Sequence, residues 1–309
     1  MNQVPQVSHQ EFKDTYELKD ILDRGTFSLV RKAVVRSTNE LVAVKIVDTS
    51  NFPGAEGVVQ RELEALMVVQ HPNCIQMRAY CRNSNYVYIV VNLARGEVLV
   101  DWLQEKRQCT ELETAIIVHG ILQGVFYLHS NNIVHRDLKL DNLMFESPGD
   151  INSLKILDFG FSKVLQGTGD ILQTICGSPQ YIAPEILNIT TSGMNQPIPY
   201  TQAVDLWSIG VIMYMLIAGY APFDEDNEMK MYHKIIKGEF SFPSDPWDNV
   251  SNQAKELIYG LLNVDPMRRM TVPQAIASPF ITKYARLYTN VPNSSSGSAS
   301  TIPQRLKTT

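Results

Sequence analysis

His135-Arg136-Asp137-Leu138-Lys139-Leu140-Asp141-Asn142 is the stretch on which the reading of this 309-residue chain turns. Sixteen residues after Asn142 comes Asp158-Phe159-Gly160, and 25 residues after Gly160 Glu185 closes Ala183-Pro184-Glu185. Upstream, Lys45 ends Val42-Ala43-Val44-Lys45 inside a β-branched run. Carboxylate and amide oxygens are the donors a hard divalent cation prefers, and a lysine near them suits a phosphate. Taken singly, a Lys–Glu or Asp–Lys pair is a solvated surface contact worth ~0–1 kcal/mol. The ordered recurrence of the set is what points to one shared site.

Around these motifs the chain falls into two regimes. Residues 1–13 are polar and read as a loose tail. From Tyr16 to about Leu93 the pattern is strand-rich: 30–34, 41–47 and 86–91 are apolar or β-branched runs, the first two joined through Ser37-Thr38-Asn39. Between them Val59, Leu63, Leu66 and Val69 share one helical face over 58–69. Beyond Gly96 helical spacing takes over, with Ile116, Ile117, Ile121 and Phe126 in 112–128 and further helices expected at 201–218, 226–236, 251–263 and 272–277. Residues 291–309 hold five serines, three threonines, two prolines and no acidic residue, a composition that cannot support a core. The expected organisation is a flexible tail (1–13), a sheet-rich lobe (14–93), a helical lobe (94–285) and a flexible tail (286–309). A cleft between lobes is where a small ligand sits.

Composition removes several classes. Hydrophobic residues at 44% and charged residues at 19% are a globular balance, which argues against global disorder. Lys+Arg 27 against Asp+Glu 32 gives −5, the wrong sign for neutralising nucleic-acid backbones. Cys74, Cys81, Cys109 and Cys176 show no CxxC spacing and nothing resembles a secretory leader, which favours a reducing compartment, the cytoplasm or also the nucleus. Residues 206–223 run 18 positions without a charge, the lower bound for a membrane span. Asp205 and Asp224 flank the run, no Lys/Arg cluster adjoins it, and Gly219 and Pro222 break its end. A helix buried all round is the expected reading, with no membrane span.

The motif set resembles the eukaryotic protein kinase catalytic domain over roughly residues 14–285. That resemblance implies an α+β, bilobal fold with a small antiparallel sheet, one key helix and a larger helical lobe. It also implies ATP and Mg²⁺ as cofactors and transfer of the γ-phosphate to serine or threonine hydroxyls of protein substrates. Asp137 matches the carboxylate that accepts or orients the hydroxyl proton, and Lys139 the cation near the transferring phosphate. Asn142 and Asp158 match the metal ligands. Lys45 matches the phosphate-holding lysine, and Glu62, ten residues before Pro72, its carboxylate partner. Glu64 is the rival, two residues further round the helix. His135 is implied to be packing. The resemblance further implies that Asn92 and Ala94 supply backbone groups to adenine, that Val30, Ala43 and Met144 sandwich the ring, and that Val91 sizes the back pocket.

Lys139 and Cys176-Gly177-Ser178-Pro179-Gln180-Tyr181 resemble serine/threonine rather than tyrosine kinases. Gly219-Tyr220-Ala221-Pro222-Phe223, Phe242-Pro243 and Trp247-Asp248-Asn249-Val250-Ser251 are similar to the calcium/calmodulin-dependent kinase group, and Arg269 is expected to pair with Glu185. Three departures stand out. Of the family's three loop glycines only Gly25 remains, and Asp23 puts a like charge near the polyphosphate, which is expected to weaken nucleotide binding. Ser28 is the milder change. Val98 stands where the group carries a glutamate that reads an upstream arginine, with Glu97 one position earlier and Asp141 as a second acid, so a weakened preference for basic substrates is expected. The tail lacks the basic amphipathic helix that calmodulin binds. Arg136 and Thr174 imply a phosphorylation switch worked by an upstream kinase, with Thr168 the alternative site. Residues 188–199 form an insertion without an assigned role. Two other classes compete: a nucleotide-binding scaffold without catalysis, resting on Asp23 and Ser28, and a membrane-anchored sensor, resting on 206–223.

Overall fold

Strands whose alternate residues are buried on opposite faces build the first lobe. The computed structural model describes residues 4–25, 28–50, 55–159, 163–164, 179–192 and 201–288. In chain order the first lobe contains β1 (Gln6–Val7), α1 (His9–Thr15), β2 (Tyr16–Arg24), β3 (Ser28–Val35), β4 (Leu41–Asp48), α2 (Ala55–Val68), β5 (Met77–Arg82) and β6 (Tyr86–Asn92). The sheet order is β1-β5-β6-β4-β3-β2. Only β1, on β5, pairs parallel. Val42 and Val44 of β4 join Ala33, Ala79, Cys81 and Val90 in a core on one face. Strand alternation places Ala43 and Lys45 on the other.

Residues 6–13 are not the loose tail their polarity suggests. Ser8 caps α1: its Oγ accepts the Glu11 N–H at 3.1 Å, and its own N–H donates to Glu11 Oε2 at 2.7 Å, a capping box. This helix seats Phe12, 2% exposed, on the β4 core face, with ring centroids 4.8 Å from Tyr88 and 5.3 Å from Tyr16. Counting polar residues hid one buried aromatic anchor.

The second lobe runs through α3 (Leu99–Lys106), α4 (Glu111–Ser130), β7 (Ile133–Val134), β8 (Leu143–Phe145), β9 (Leu154–Ile156), β10 (Lys163–Val164), α5 (Pro184–Ser192), α6 (Ala203–Ala218), α7 (Glu228–Lys237), α8 (Ser244–Trp247), α9 (Asn252–Leu261), α10 (Val272–Ile276) and α11 (Pro279–Tyr288). Alpha-helix α11 continues past residue 285, so the helical lobe outruns its expected boundary; residues 289–309 lie outside the described set. Most of the uncharged run lies in α6, sixteen residues of which fourteen are buried, Asp205 among them, ending at Gly219 with φ 79°. Glycine tolerates that left-handed turn. Among the described residues α4 is long and apolar enough to cross a membrane by length and composition, yet it packs against α6, α10 and α11 as the spine of this lobe.

Arg269 does meet Glu185. Its Nη1 and Nη2 donate to Glu185 Oε1 at 2.8 Å and Oε2 at 2.7 Å, while Nε and Nη1 also reach the carbonyls of Asn263 and Ala203. With Arg269 3% exposed, this bidentate pair staples α5 to α6 and the loop before α10.

Candidate active site

Lys45 projects from β4 to two carboxylates at once. Its Nζ donates to Glu62 Oε1 at 2.7 Å and to Asp158 Oδ1 at 2.9 Å. Helix α2 delivers Glu62 because Val59, Leu63 and Leu66 anchor its inner face. Glu62 is 3% exposed, whereas Glu64 is exposed and takes a hydrogen bond from Gln60, which settles the rivalry between them. Burial works against the Lys45 ammonium, but the two neighbouring carboxylates outweigh it and hold the group above its ordinary range. Burial pushes the Glu62 carboxyl up, against the pull of Lys45.

The segment from His135 to Asn142 is suspended from a residue that sequence reasoning treated only as a flank. Asp205, fully buried at the start of α6, accepts the peptide N–H of Arg136 on Oδ1 at 2.8 Å and that of His135 on Oδ2 at 3.0 Å. His129 Nε2 lies 2.7 Å from the same Oδ2. Burial pushes this carboxyl up, but the bond and charge of His129 and the Arg136 N–H win and hold it below the ordinary carboxylate range. Arg136 can then sit at φ 70°, a region costly for a residue with a side chain. A charge opening an otherwise apolar buried helix was the available signal, since a buried carboxylate must find partners.

His135 is packing. Its Nδ1 accepts the Asp137 N–H at 3.3 Å, so the hydrogen-bond network assigns the proton to Nε2, which donates to the Leu157 carbonyl at 2.9 Å. The ring stands 5.4 Å from buried Phe159. Asp137, in contrast, presents its carboxylate to Lys139 Nζ at 3.2 Å and to Asn142 Nδ2 at 2.8 Å. Asn142 Nδ2 also donates to the Asp137 carbonyl at 2.7 Å. With the amide nitrogen so committed, Oδ1 of Asn142 is the remaining acceptor, without a partner among the described residues. The Leu157 N–H donates to the Asn142 carbonyl at 2.8 Å, which holds the chain entering Asp158 beside that oxygen. Asp158 takes φ 52° there. An amide oxygen and a carboxylate, with no nitrogen or sulfur donor between them, fit Mg²⁺ rather than a softer ion.

The residues expected to meet a nucleotide fall on both lobes. Ala43 pairs with Val91, and Val30 with Lys45, across neighbouring strands. Met144 lies on β8 and bridges to Val98. The Asn92 N–H is spent on the Gln76 carbonyl at 3.1 Å. Ala94 has no hydrogen-bond partner among the described residues, so its peptide group is free for a ligand. Asp23 pairs with Val30 and turns its Oδ1 to the Arg24 N–H at 2.8 Å, while the Gly25 N–H donates to the Ser28 carbonyl at 2.9 Å. Glu97 and Asp141 are exposed. Thr168, Thr174 and Ser178 lie outside the described residues, as does most of 188–199.

A two-lobed chain with a buried lysine–glutamate pair, an oxygen pair suited to a divalent cation and an aspartate–lysine pair in one crevice is built as a phosphotransferase. The chain belongs to the protein kinase family: the profile of the protein kinase domain matches residues 16–281. It is 39% identical over 283 residues to a calcium/calmodulin-dependent protein kinase type 1 of Macrobrachium nipponense, covering 91% of this chain and 79% of that one. It is 40% identical over 271 residues to a serine/threonine-protein kinase H1 homolog of Danio rerio, and 39% identical over 271 residues to the human serine/threonine-protein kinase H1. Each alignment covers 87% of this chain and spans 62% of the relative's length. The protein is a serine/threonine kinase of the calcium/calmodulin-dependent group.

Proposed function

We propose that this kinase transfers the γ-phosphate of Mg²⁺-bound ATP to protein hydroxyls through the residues gathered above. One observation carries the reading: Lys45 makes the ion pair with Glu62 that kinase chemistry needs and at the same time holds beside it Asp158, the aspartate that would carry Mg²⁺. Asp137 orients the incoming hydroxyl and takes its proton, with Lys139 beside it to offset charge on the phosphoryl oxygens. Asn142 and Asp158 hold the metal, which when bound neutralises phosphate charge. Val30, Ala43 and Met144 enclose the base, with Asn92 and Ala94 at its edge. Gly25 is the remaining point of close backbone approach to phosphate. Incubation with γ-labelled ATP and Mg²⁺ is expected to place label on serine and threonine, and EDTA to remove it. Nucleotide binding without any transfer would favour the scaffold reading instead.

Regulation, in this reading, falls on Thr174, whose phosphate would meet Arg136. After treatment with an upstream kinase, Thr174→Ala is expected to be roughly tenfold less active than the natural chain, the worth of one or two charge-assisted bonds. Equal activities would exclude Thr174 as the switch. Val98 at the reading position supports a reduced preference for substrates with upstream basic residues, and exposed Glu97 and Asp141 support that some of it is kept. The unpaired, buried thiols of Cys74, Cys81 and Cys109 support a cytoplasmic or nuclear setting.

A further inference from the structure

The family profile begins at residue 16, so β1 and α1 lie ahead of the domain it matches. Residues 6–15 are nevertheless fastened to the sheet at both ends. At one end the Pro5 carbonyl accepts the Tyr80 N–H at 3.2 Å, and β1 pairs with Tyr80 and Cys81 of β5. The Tyr80 hydroxyl donates to Gln6 Oε1 at 3.0 Å. At the other end the Thr15 carbonyl accepts the N–H of Arg36, just past β3, at 2.9 Å. The segment thus straps β5 to β3, with β6 and β4 lying between them in the sheet.

Midway along the strap, Phe12 is buried with Val42 and Val44 of β4, Ala33 of β3, and Ala79, Cys81 and Val90 of the neighbouring strands. Ile46 packs against the same cluster. His9 stacks on Tyr88, ring centroids 5.6 Å apart, and Tyr88 is the cross-strand partner of Ile46. The strap therefore bears on the residues immediately before and after Lys45. Successive side chains of a strand leave opposite faces, so support of Val44 and Ile46 from one face sets where Lys45 emerges on the other. Lys45 has to keep two carboxylates at 2.7 and 2.9 Å, a geometry that a small displacement breaks.

We propose that residues 6–15 are a positioning strap, in which Phe12 and its helix clamp β4 from behind and so fix Lys45 against Glu62 and Asp158. Phe12 is a positioning residue that acts through β4. The effect on catalysis rests on the transfer reading given above; the clamp itself does not. Two measurements on the full chain test it: amide hydrogen exchange, and KM for ATP beside KM for a peptide substrate. Phe12→Ala is expected to speed exchange at Val44 and Lys45 about tenfold while α9 keeps its natural rate, the mark of local rather than global opening. It should raise the KM for ATP roughly tenfold and leave the peptide KM unchanged, whereas a mere loss of folded enzyme lowers kcat and moves neither KM. Phe12→Leu keeps an apolar side chain there and should restore most of both readouts. Ser8→Ala removes the capping box of α1 at an exposed position and should shift both the same way by a smaller factor. That variant decides the matter if Phe12→Ala does not fold. The proposal is overturned if exchange at Lys45 in the deciding variant matches the natural chain, or if the two KM values move together. A natural chain without any transfer would defeat the transfer reading, and the exchange rates would still decide the clamp.

Discussion

Asp158→Asn is expected to lower kcat by roughly 10³-fold, the upper range for removing one preorganised electrostatic group. The substitution keeps the side chain's shape and removes its charge. Lys45 then retains only Glu62, at 2.7 Å, and the oxygen pair offered to the metal loses its anionic member. Lys45, and a divalent cation that Asn142 and Asp158 would hold, would stabilise charge that develops in the transition state, so the loss should fall on kcat more than on KM for the peptide substrate. Fold stability should change little, because the Asp158 side chain is 41% exposed. Steady-state label transfer, read beside a melting curve, makes the measurement. A kcat within tenfold of the natural enzyme, with Tm unchanged, would remove Asp158 from the catalytic set.

Asp205→Ala is expected to cost about 3–5 kcal/mol of unfolding free energy, read by urea titration, and to abolish transfer. The carboxylate is fully buried and serves three donors: two peptide N–H groups and His129. Truncation leaves all three in the core without an acceptor, each such loss costing on the order of 1–3 kcal/mol. It also frees Arg136 from φ 70°, letting the segment that carries Asp137 relax. The pH dependence has a definite sign. The folded carboxyl is held below its unfolded value, so it contributes stability above the ordinary aspartate pKa of about 3.9. That contribution is lost as pH falls through the lower folded value. The stability gap between the natural chain and Asp205→Ala should therefore be full at neutral pH and shrink on acidification. A gap independent of pH would show that the carboxylate's charge is not what holds the loop.

Much of this site was legible in the chain because the chemistry constrains residue type and spacing. Lys45, Asp137, Asn142 and Asp158 each sit in short motifs whose order survives any arrangement of the loops between them. Glu62 was legible by its distance from Pro72, and the exposure of Glu64 agrees with it. The buried character of α6 followed from the uncharged run that begins after Asp205. Asp205 was not recognised, since its partners His129, His135 and Arg136 lie about 70 residues earlier and no local pattern links them. Phe12 was missed for the same reason: one aromatic in a polar stretch acquires meaning only when Tyr88 and β4 lie beneath it.

The order and spacing of ionisable residues, and the periodicities of 2 and 3.6 between them, determined the family, the two lobes and the identity of the reacting groups. The tertiary structure decided which charges compensate one another and which carboxylate suspends the catalytic segment. Side-chain type is a local property written residue by residue. Burial and hydrogen-bond satisfaction belong to pairs brought together from distant parts of the chain, and they take definite values only once the core has closed.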